Sequence, residues 1–490
     1  MKEIVKNNKQ NIILISLVCL AFLAIGYEAV KYEYYNYAYF PLIILGIFFI
    51  IFKFYYSVFL VALLTPFSLF IRFESFSITL PTEPILIIIM VVFLWEMFLN
   101  KKYEVKYVKN PISMMILINI SWMLVSAIFS WDFVVSIKYI VSRLWFVIPC
   151  YFMMLMVFKD ITKIRLFVLV YGISLSIIII ISTIKYALTG FNHDFADYIM
   201  CPFYNDHTAY GAAIALFVPI CSFYLFSNKE VCPNKYYRVL FAFIEFCLFI
   251  GLIFSYARAA WISIAVPFVI YALVKMKIKL RTLFAIFVVF VIALSVSWTG
   301  VVQKLQKNNQ DSSGNIVKHI NSISNISTDA SNVERINRWA SAFRMTKERP
   351  ITGWGVGTYQ FVYGSFQHSS QRTPISTNEG ILGNAHSEYI GPLCEQGYIG
   401  CLIIIVMFGT TIYIGIKTFH QSKNKNIANL SLFITLSLIT YYTHGFLNNF
   451  LDTDKLAVPF WTFTAMITAL NIYSDKKEET NKNIIEIKRK

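Results

Sequence analysis

Apolar runs long enough to span a bilayer recur along almost the whole chain, and the short connections between them are alternately rich and poor in lysine. A run of about twenty apolar residues crosses the hydrocarbon core only as a helix, because lipid cannot satisfy backbone N–H and C=O groups. The feature therefore predicts an all-α fold, a polytopic membrane helix bundle of about 12–14 transmembrane helices. The composition agrees: 57% of residues are hydrophobic, 14% are charged, and the mean hydropathy is +0.60. Spans are expected near 11–30, 38–52, 54–71, 84–99, 111–129, 140–158, 166–184, 208–227, 239–256, 261–274, 282–299, 398–416, 428–443 and 456–473.

Lys2, Lys6 and Lys9 precede the first span, and Lys101, Lys102, Lys106 and Lys109 fill a later connection. Lys159, Lys163 and Arg165, then Lys229, Lys235 and Arg238, then Lys275 to Arg281, then Lys417 to Lys425 continue the alternation. Basic connections stay cytoplasmic, so both termini are expected inside and the long loop outside. The net charge of +16 is accounted for by this topology. It forms no continuous basic stripe, so nucleic acid is not an expected partner. The eight cysteines are scattered, with no CxxC, and read as small core residues. A bond between Cys201 and Cys394, the two placed to face outward, is the one pairing to test. The first apolar run lacks a small-residue cleavage site and is read as a helix.

Residues 301–389 are the one long polar stretch, which divides the chain into transmembrane helices over 1–300, a catalytic loop over 301–389, further helices over 390–475 and a cytoplasmic tail over 476–490. Ser331 with Glu334 fits a capping box, so a helix is expected from near Asn332. Val333, Ile336, Ala340 and Phe343 would give that helix one apolar face, and Pro350 and Gly353 would end it. Arg335 would then lie in the first turn, a poor place for a cation unless an anion binds there. An ordinary solvated helix face is the alternative. Gly353-Trp-Gly355-Val-Gly357 lacks the spacing and preceding strand of a dinucleotide fingerprint and reads as a tight turn.

Three more polar groups fall on the outer side: Asn205-Asp206-His207, Ser255-Tyr-Ala-Arg258, and His444 to Asp454. Arg258 either serves chemistry or snorkels to lipid headgroups. Glu245 falls inside a span and is expected to be hydrogen-bonded to a neighbouring helix. Asp452-Thr-Asp454 has the look of a metal-holding aspartate pair, against a plainer reading as a helix-terminal polar pair.

In order, Phe203-Tyr-Asn205, Ser255-Tyr-Ala-Arg258-Ala-Ala-Trp261, Arg335 four residues before Trp339, Pro350-Ile-Thr-Gly353-Trp-Gly355, and His386-Ser-Glu-Tyr389 leading to Glu395-Gln-Gly397 make up a pattern. It resembles the O-antigen ligase and polymerase superfamily of bacterial membrane glycosyltransferases. The motifs fall within residues 200–470. The family usually has Asn after the histidine and near position 207, where this chain has Ser387 and His207.

The resemblance implies a bundle like that of the C-type glycosyltransferases in the bacterial inner membrane. It would transfer a glycan from undecaprenyl diphosphate to an acceptor sugar, either the lipid A core or a growing glycan, with no metal and no cofactor. Arg258 and Arg335, helped by Arg338, would hold the diphosphate, since guanidinium forks can stabilise a diphosphate leaving group. His386 would deprotonate or orient the acceptor hydroxyl. Asn384 is expected to fix its ring and Glu388 to tune it. Asp452, Asn205 and His207 are candidates for orienting the acceptor. His207 and His444 are the rival bases. A transporter or flippase is the reading from another class. The long outer loop, and the lack of paired broken helices in two halves, speak against it.

Overall fold

The computed structural model describes residues 54–72, 77–100, 103–276, 330–369 and 383–473, with the isolated positions 46 and 282. The expected spans near 11–30, 38–52 and 282–299, the first part of the loop and the tail 476–490 lie outside the described residues.

Helix α1 (Phe54–Leu64) is followed by a 3₁₀ turn, Thr65–Phe67, and an antiparallel hairpin of β1 (Leu69–Arg72) and β2 (Ser77–Leu80). Then come α2 (Thr82–Asn100), α3 (Pro111–Ile128) and α4 (Phe133–Val147), the last continuing through a π-helical turn, Ile148–Met153, to Val157. Next are α5 (Thr162–Leu188), α6 (His207–Phe226), α7 (Lys235–Phe254) and α8 (Arg258–Lys275). The loop helix α9 (Ala330–Glu348) precedes α10 (Ile390–Gln421), α11 (Lys425–His444) and α12 (Asp454–Tyr473). Among the described residues nine helices are long and apolar enough to cross a membrane.

Short polar residues set several helix starts by accepting the first free backbone N–H groups. Asn110 Oδ1 accepts from Ile112 N at 3.0 Å, Asp132 Oδ1 from Val134 N at 2.9 Å, and Asn234 Oδ1 from Tyr236 N at 3.0 Å. Asp206 caps α6 through Thr208 N at 2.8 Å.

Two expectations are corrected. The span near 54–71 is the short helical piece Phe54–Phe67, because Pro66 leads it out and residues 69–72 pair as a strand. The polar turn expected after it is this hairpin, and Glu83 belongs to α2. Separately, α11 is not among the nine apolar spans and lies buried inside the bundle. Two of its threonines donate back within the helix, Thr435 Oγ1 to Ser431 O at 2.7 Å and Thr440 Oγ1 to Leu436 O at 3.0 Å, and Ser431 Oγ donates to Gly415 O of α10 at 2.9 Å. Around it, α6 and α12 are buried along most of their length, and Tyr171 stacks on Phe217 at 4.5 Å. Glu245 Oε1 accepts from Ser222 Oγ at 2.6 Å across α6 and α7, the helix contact expected. Cys201 and Cys394 are both free thiols.

The loop is fastened to the bundle through backbone. At Gly397 (φ 71°) α10 breaks, and the segment 350–357 lies along the break. Trp354 N donates to Cys394 O at 3.0 Å, Gly355 N to Glu395 O at 2.8 Å, and Tyr398 N to Pro350 O at 2.8 Å. Gly353 has φ 68°, and a Cβ there would sit 2.2 Å from the Glu395 carbonyl carbon. The glycine run is therefore a tight turn, and it forms one unit with Glu395-Gln-Gly397. Gly353→Ala is expected to destabilise the protein by about 3 kcal/mol or more, from strain plus a backbone clash. Thermal unfolding in detergent checks this against Gly409→Ala, where a Cβ meets nothing within 4 Å and the midpoint should hold.

Candidate active site

Helix α9 brings its arginines to the site by an unexpected face. It begins at Ala330, two residues before the expected start, so Arg335 lies in the second turn rather than the first. Glu334 Oε1 accepts from Arg338 Nε at 2.9 Å in a buried ion pair. The buried face carries Glu334, Asn337, Arg338, Ser341, Ala342 and Met345, while Phe343 is 41% exposed. The buried face differs from the expected one because the first half of the helix meets a polar turn and its carbonyls, while Ala342 and Met345 pack in an apolar cluster with Tyr359, Tyr363 and Cys394.

What it packs against is the turn that holds His386. Arg338 Nη1 donates to Asn384 O at 3.1 Å, and Trp339 Nε1 donates to Ala385 O at 2.9 Å. Arg338 also lies over the Tyr363 ring at 5.3 Å. Already paired with Glu334, Arg338 is drawn into holding this turn, which does not suit it to the diphosphate-binding part expected of it.

His386 itself has φ 47°, a left-handed conformation that a β-carbon disfavours. Asn384 Oδ1 accepts from His386 N at 3.1 Å, so it fixes the backbone of the histidine and not its ring. Ser387 caps the start of the following helix: its Oγ accepts from Tyr389 N at 3.2 Å and Ile390 N at 3.3 Å. Burial, then the charges of Arg335 and Arg338, push the imidazole down to about 3, with Asp206 opposing. The ring is therefore neutral at physiological pH, and Arg335, Arg338 and Asp206 all lie within electrostatic reach of it.

Glu388 faces elsewhere, contrary to the expectation that it tunes His386. Its Oε1 accepts from Tyr441 Oη at 2.6 Å, Phe450 N at 2.9 Å and Leu451 N at 3.0 Å. Burial raises this carboxyl above its ordinary range, and the charge of Asp452 adds to the effect.

Residues 447–452, between α11 and α12, form the strap on which these parts converge. Leu447 O accepts from Arg335 Nε at 3.2 Å and Asn448 Oδ1 from Arg335 Nη2 at 3.4 Å. Buried His444 lies 3.2 Å from Asn448 Nδ2 through Nε2, which places this rival histidine behind Arg335. Asp452 Oδ1 accepts from Tyr139 Oη at 2.8 Å and Arg143 Nη2 at 2.9 Å. Asp454 accepts from Ser68 Oγ at 2.5 Å, and Lys455, next to it, donates to Thr65 O and Ser68 O. The two aspartates thus answer to different cations and do not converge as a pair.

The remaining expected residues lie at helix starts and in the turns before them. Arg258 opens α8, and the turn before it packs closely on α6: a Cβ on Gly211 would lie 2.7 Å from that of Ala257. His207 opens α6 with Nδ1 3.4 Å from Asp197 and 3.6 Å from Asp206, which engages it in a carboxylate pair. Asn205 is exposed in the preceding turn. Arg143 was not among the sequence candidates. The available signal was an arginine inside an apolar run, four residues after Tyr139.

Residues 243–405, which include Arg258, Arg335 and His386, match the family model described as O-antigen ligase. That segment of the chain is similar to the O-antigen ligase family. An uncharacterized protein of Haemophilus influenzae is 26% identical over 236 residues, covering 47% of this chain and 56% of that relative. The alignment thus spans little more than half of the relative's length. With nine apolar helices among the described residues, this is a multi-pass membrane protein with a segment similar to the O-antigen ligase family. The strap with Asp452, and Arg143 on α4, lie beyond the matched O-antigen ligase segment.

Proposed function

We propose that the protein transfers a glycan from undecaprenyl diphosphate to a sugar hydroxyl at the outer face of the bacterial inner membrane. The acceptor is the lipid A core in the ligase reading and a growing glycan in the polymerase reading, and both share every chemical step. One observation carries the reading: a neutral histidine, on a turn pinned by α9, faces arginine charge from that same helix.

Outside the cytoplasm the leaving group must arrive with the lipid. Arg335 and Arg258 hold the diphosphate and stabilise the charge that grows as the anomeric C–O bond breaks. Arg338 positions the Asn384–His386 turn. The acceptor oxygen attacks the anomeric carbon from the opposite face, with inversion, and its proton passes to His386. Burial, and after it the charges of Arg335 and Arg338, depress the basicity of His386 in the donor-free site. A bound diphosphate offsets the part that comes from the arginines, so the histidine becomes more basic once the donor is in place. Asp452 orients the acceptor. No step calls for a metal, because the guanidinium groups supply the positive charge.

Loss of the gene tests the assignment. Cells without it are expected to accumulate lipid-diphosphate-linked glycan on the outer face of the membrane and to lack the surface polysaccharide. Accumulation on the cytoplasmic face instead would favour a flippase.

A further inference from the structure

Arg143 of α4 sits close to the strap with only 11% of its side chain exposed. Its guanidinium makes three contacts there: Nη1 to Leu451 O at 2.9 Å, Nη2 to Asp452 Oδ1 at 2.9 Å, and Nη2 to Tyr139 Oη at 2.6 Å. Tyr139 completes the triangle with its own 2.8 Å bond to Asp452 Oδ1, and its ring lies against Gly357 of the loop turn. Asp452 is different from its two partners. Its side chain is 43% exposed, and both bonds fall on Oδ1, leaving Oδ2 outside the pair.

We propose that Arg143 and Tyr139 are positioning residues that aim Asp452 at the acceptor sugar, so that the acceptor side of the site is built from α4. The inference rests on the glycosyl-transfer reading above. A carboxylate with one oxygen fixed by two donors and the other turned outward suits a sugar hydroxyl, which needs an acceptor of defined direction. Rotation about the aspartate χ angles would otherwise spread that oxygen over several positions. An ion pair kept only for stability would have no need of the tyrosine or of a half-exposed aspartate. Arg143 also ties the direction of Asp452 to the strap, because Leu451 O is the neighbouring carbonyl. The strap in turn holds Arg335 through Leu447 O and Asn448 Oδ1, so both sides of the reaction share one backbone reference.

The test uses the full-length chain, expressed in cells that lack the wild-type gene, with surface polysaccharide as one readout. Binding of undecaprenyl diphosphate by the purified protein is the other. R143M, R143Q and D452N are each expected to lower polysaccharide at least tenfold with diphosphate binding retained. Y139F is expected to lower it several-fold, and R143K to recover part of the R143Q loss. The double variant R143M/D452N separates positioning from the stability of the pair, since it removes both of its charges together. Its product is expected to stay at the level of D452N alone. Recovery of polysaccharide in the double variant would overturn the proposal, because the pair would then serve the fold only. Wild-type polysaccharide in D452N or in R143Q would overturn it as well, as would loss of diphosphate binding in R143Q. Failure of the wider transfer reading looks different: R258A would keep both diphosphate binding and polysaccharide.

Discussion

Arg335→Ala is expected to lower glycan transfer at least about a hundredfold while the protein still folds, a loss of about 3 kcal/mol of transition-state stabilisation. The size follows from what the guanidinium does. In the proposed reaction the diphosphate departs with growing negative charge, and Arg335, which donates to Leu447 O and Asn448 Oδ1, would stabilise that charge. Removing the side chain leaves those two acceptors without this donor, so the main loss expected is in chemistry. Lysine should rescue poorly, because a point charge cannot keep both strap contacts and also present a fork to the phosphate. Arg338→Ala should behave in the opposite way. It strips the buried carboxylate of Glu334 of its ion-pair partner and frees the Asn384 turn, so loss of folded protein should dominate. Steady-state rates, with thermal unfolding of each variant beside them, tell the two arginines apart. Near-normal transfer by Arg335→Ala would remove it from the leaving-group site.

His386→Ala is expected to abolish detectable transfer and leave undecaprenyl diphosphate binding intact, since both proposed phosphate-binding arginines remain. His386→Asn is the more informative change. Asparagine tolerates the left-handed backbone at φ 47°, so it keeps the turn and loses the proton acceptor. Burial and the arginines hold the imidazole down to about 3, which alters the pH dependence expected from an ordinary histidine. The kcat/KM profile reports the free enzyme, so it should show no imidazole limb near pH 6.5. In kcat, which reports the loaded site, any such limb should lie higher than about 3, because diphosphate offsets the arginine charge. The sign for stability is also set. The folded value is depressed below the unfolded one, so this group's contribution is full above about pH 6.5 and is lost as pH falls toward about 3. Full activity in His386→Ala, together with loss in His207→Ala, would move the base across the mouth of the bundle.

Much of the fold was legible because lipid leaves the backbone few choices, and nine expected spans correspond to apolar helices. The span near 54–71 misled because composition alone cannot separate a short helix plus an apolar strand from one long helix; Pro66 was the mark of the break. Arg335, Arg338 and His386 could be singled out together because they lie on one polar loop, and the structure brings Arg338 to the turn that holds His386. The roles of their neighbours were not legible. Asn384, Ser387 and Glu388 lie within five residues, yet one fixes a backbone, one caps a helix and one binds the strap some sixty positions on. Local sequence cannot reveal which way such side chains turn, since that depends on what packs against them. Arg143 was missed for a related reason: its partner Asp452 is 309 positions away.

The most direct test of the account is a reaction by the purified full-length protein in lipid vesicles, supplied with glycan-linked undecaprenyl diphosphate extracted from cells that lack the gene. Products would be separated and weighed by mass spectrometry. The account predicts a new glycosidic bond on an acceptor sugar, inverted at the anomeric carbon, with one undecaprenyl diphosphate released per transfer and none of this in His386→Asn. Lipid-linked glycan recovered chemically unchanged, but moved from one leaflet to the other, would contradict it.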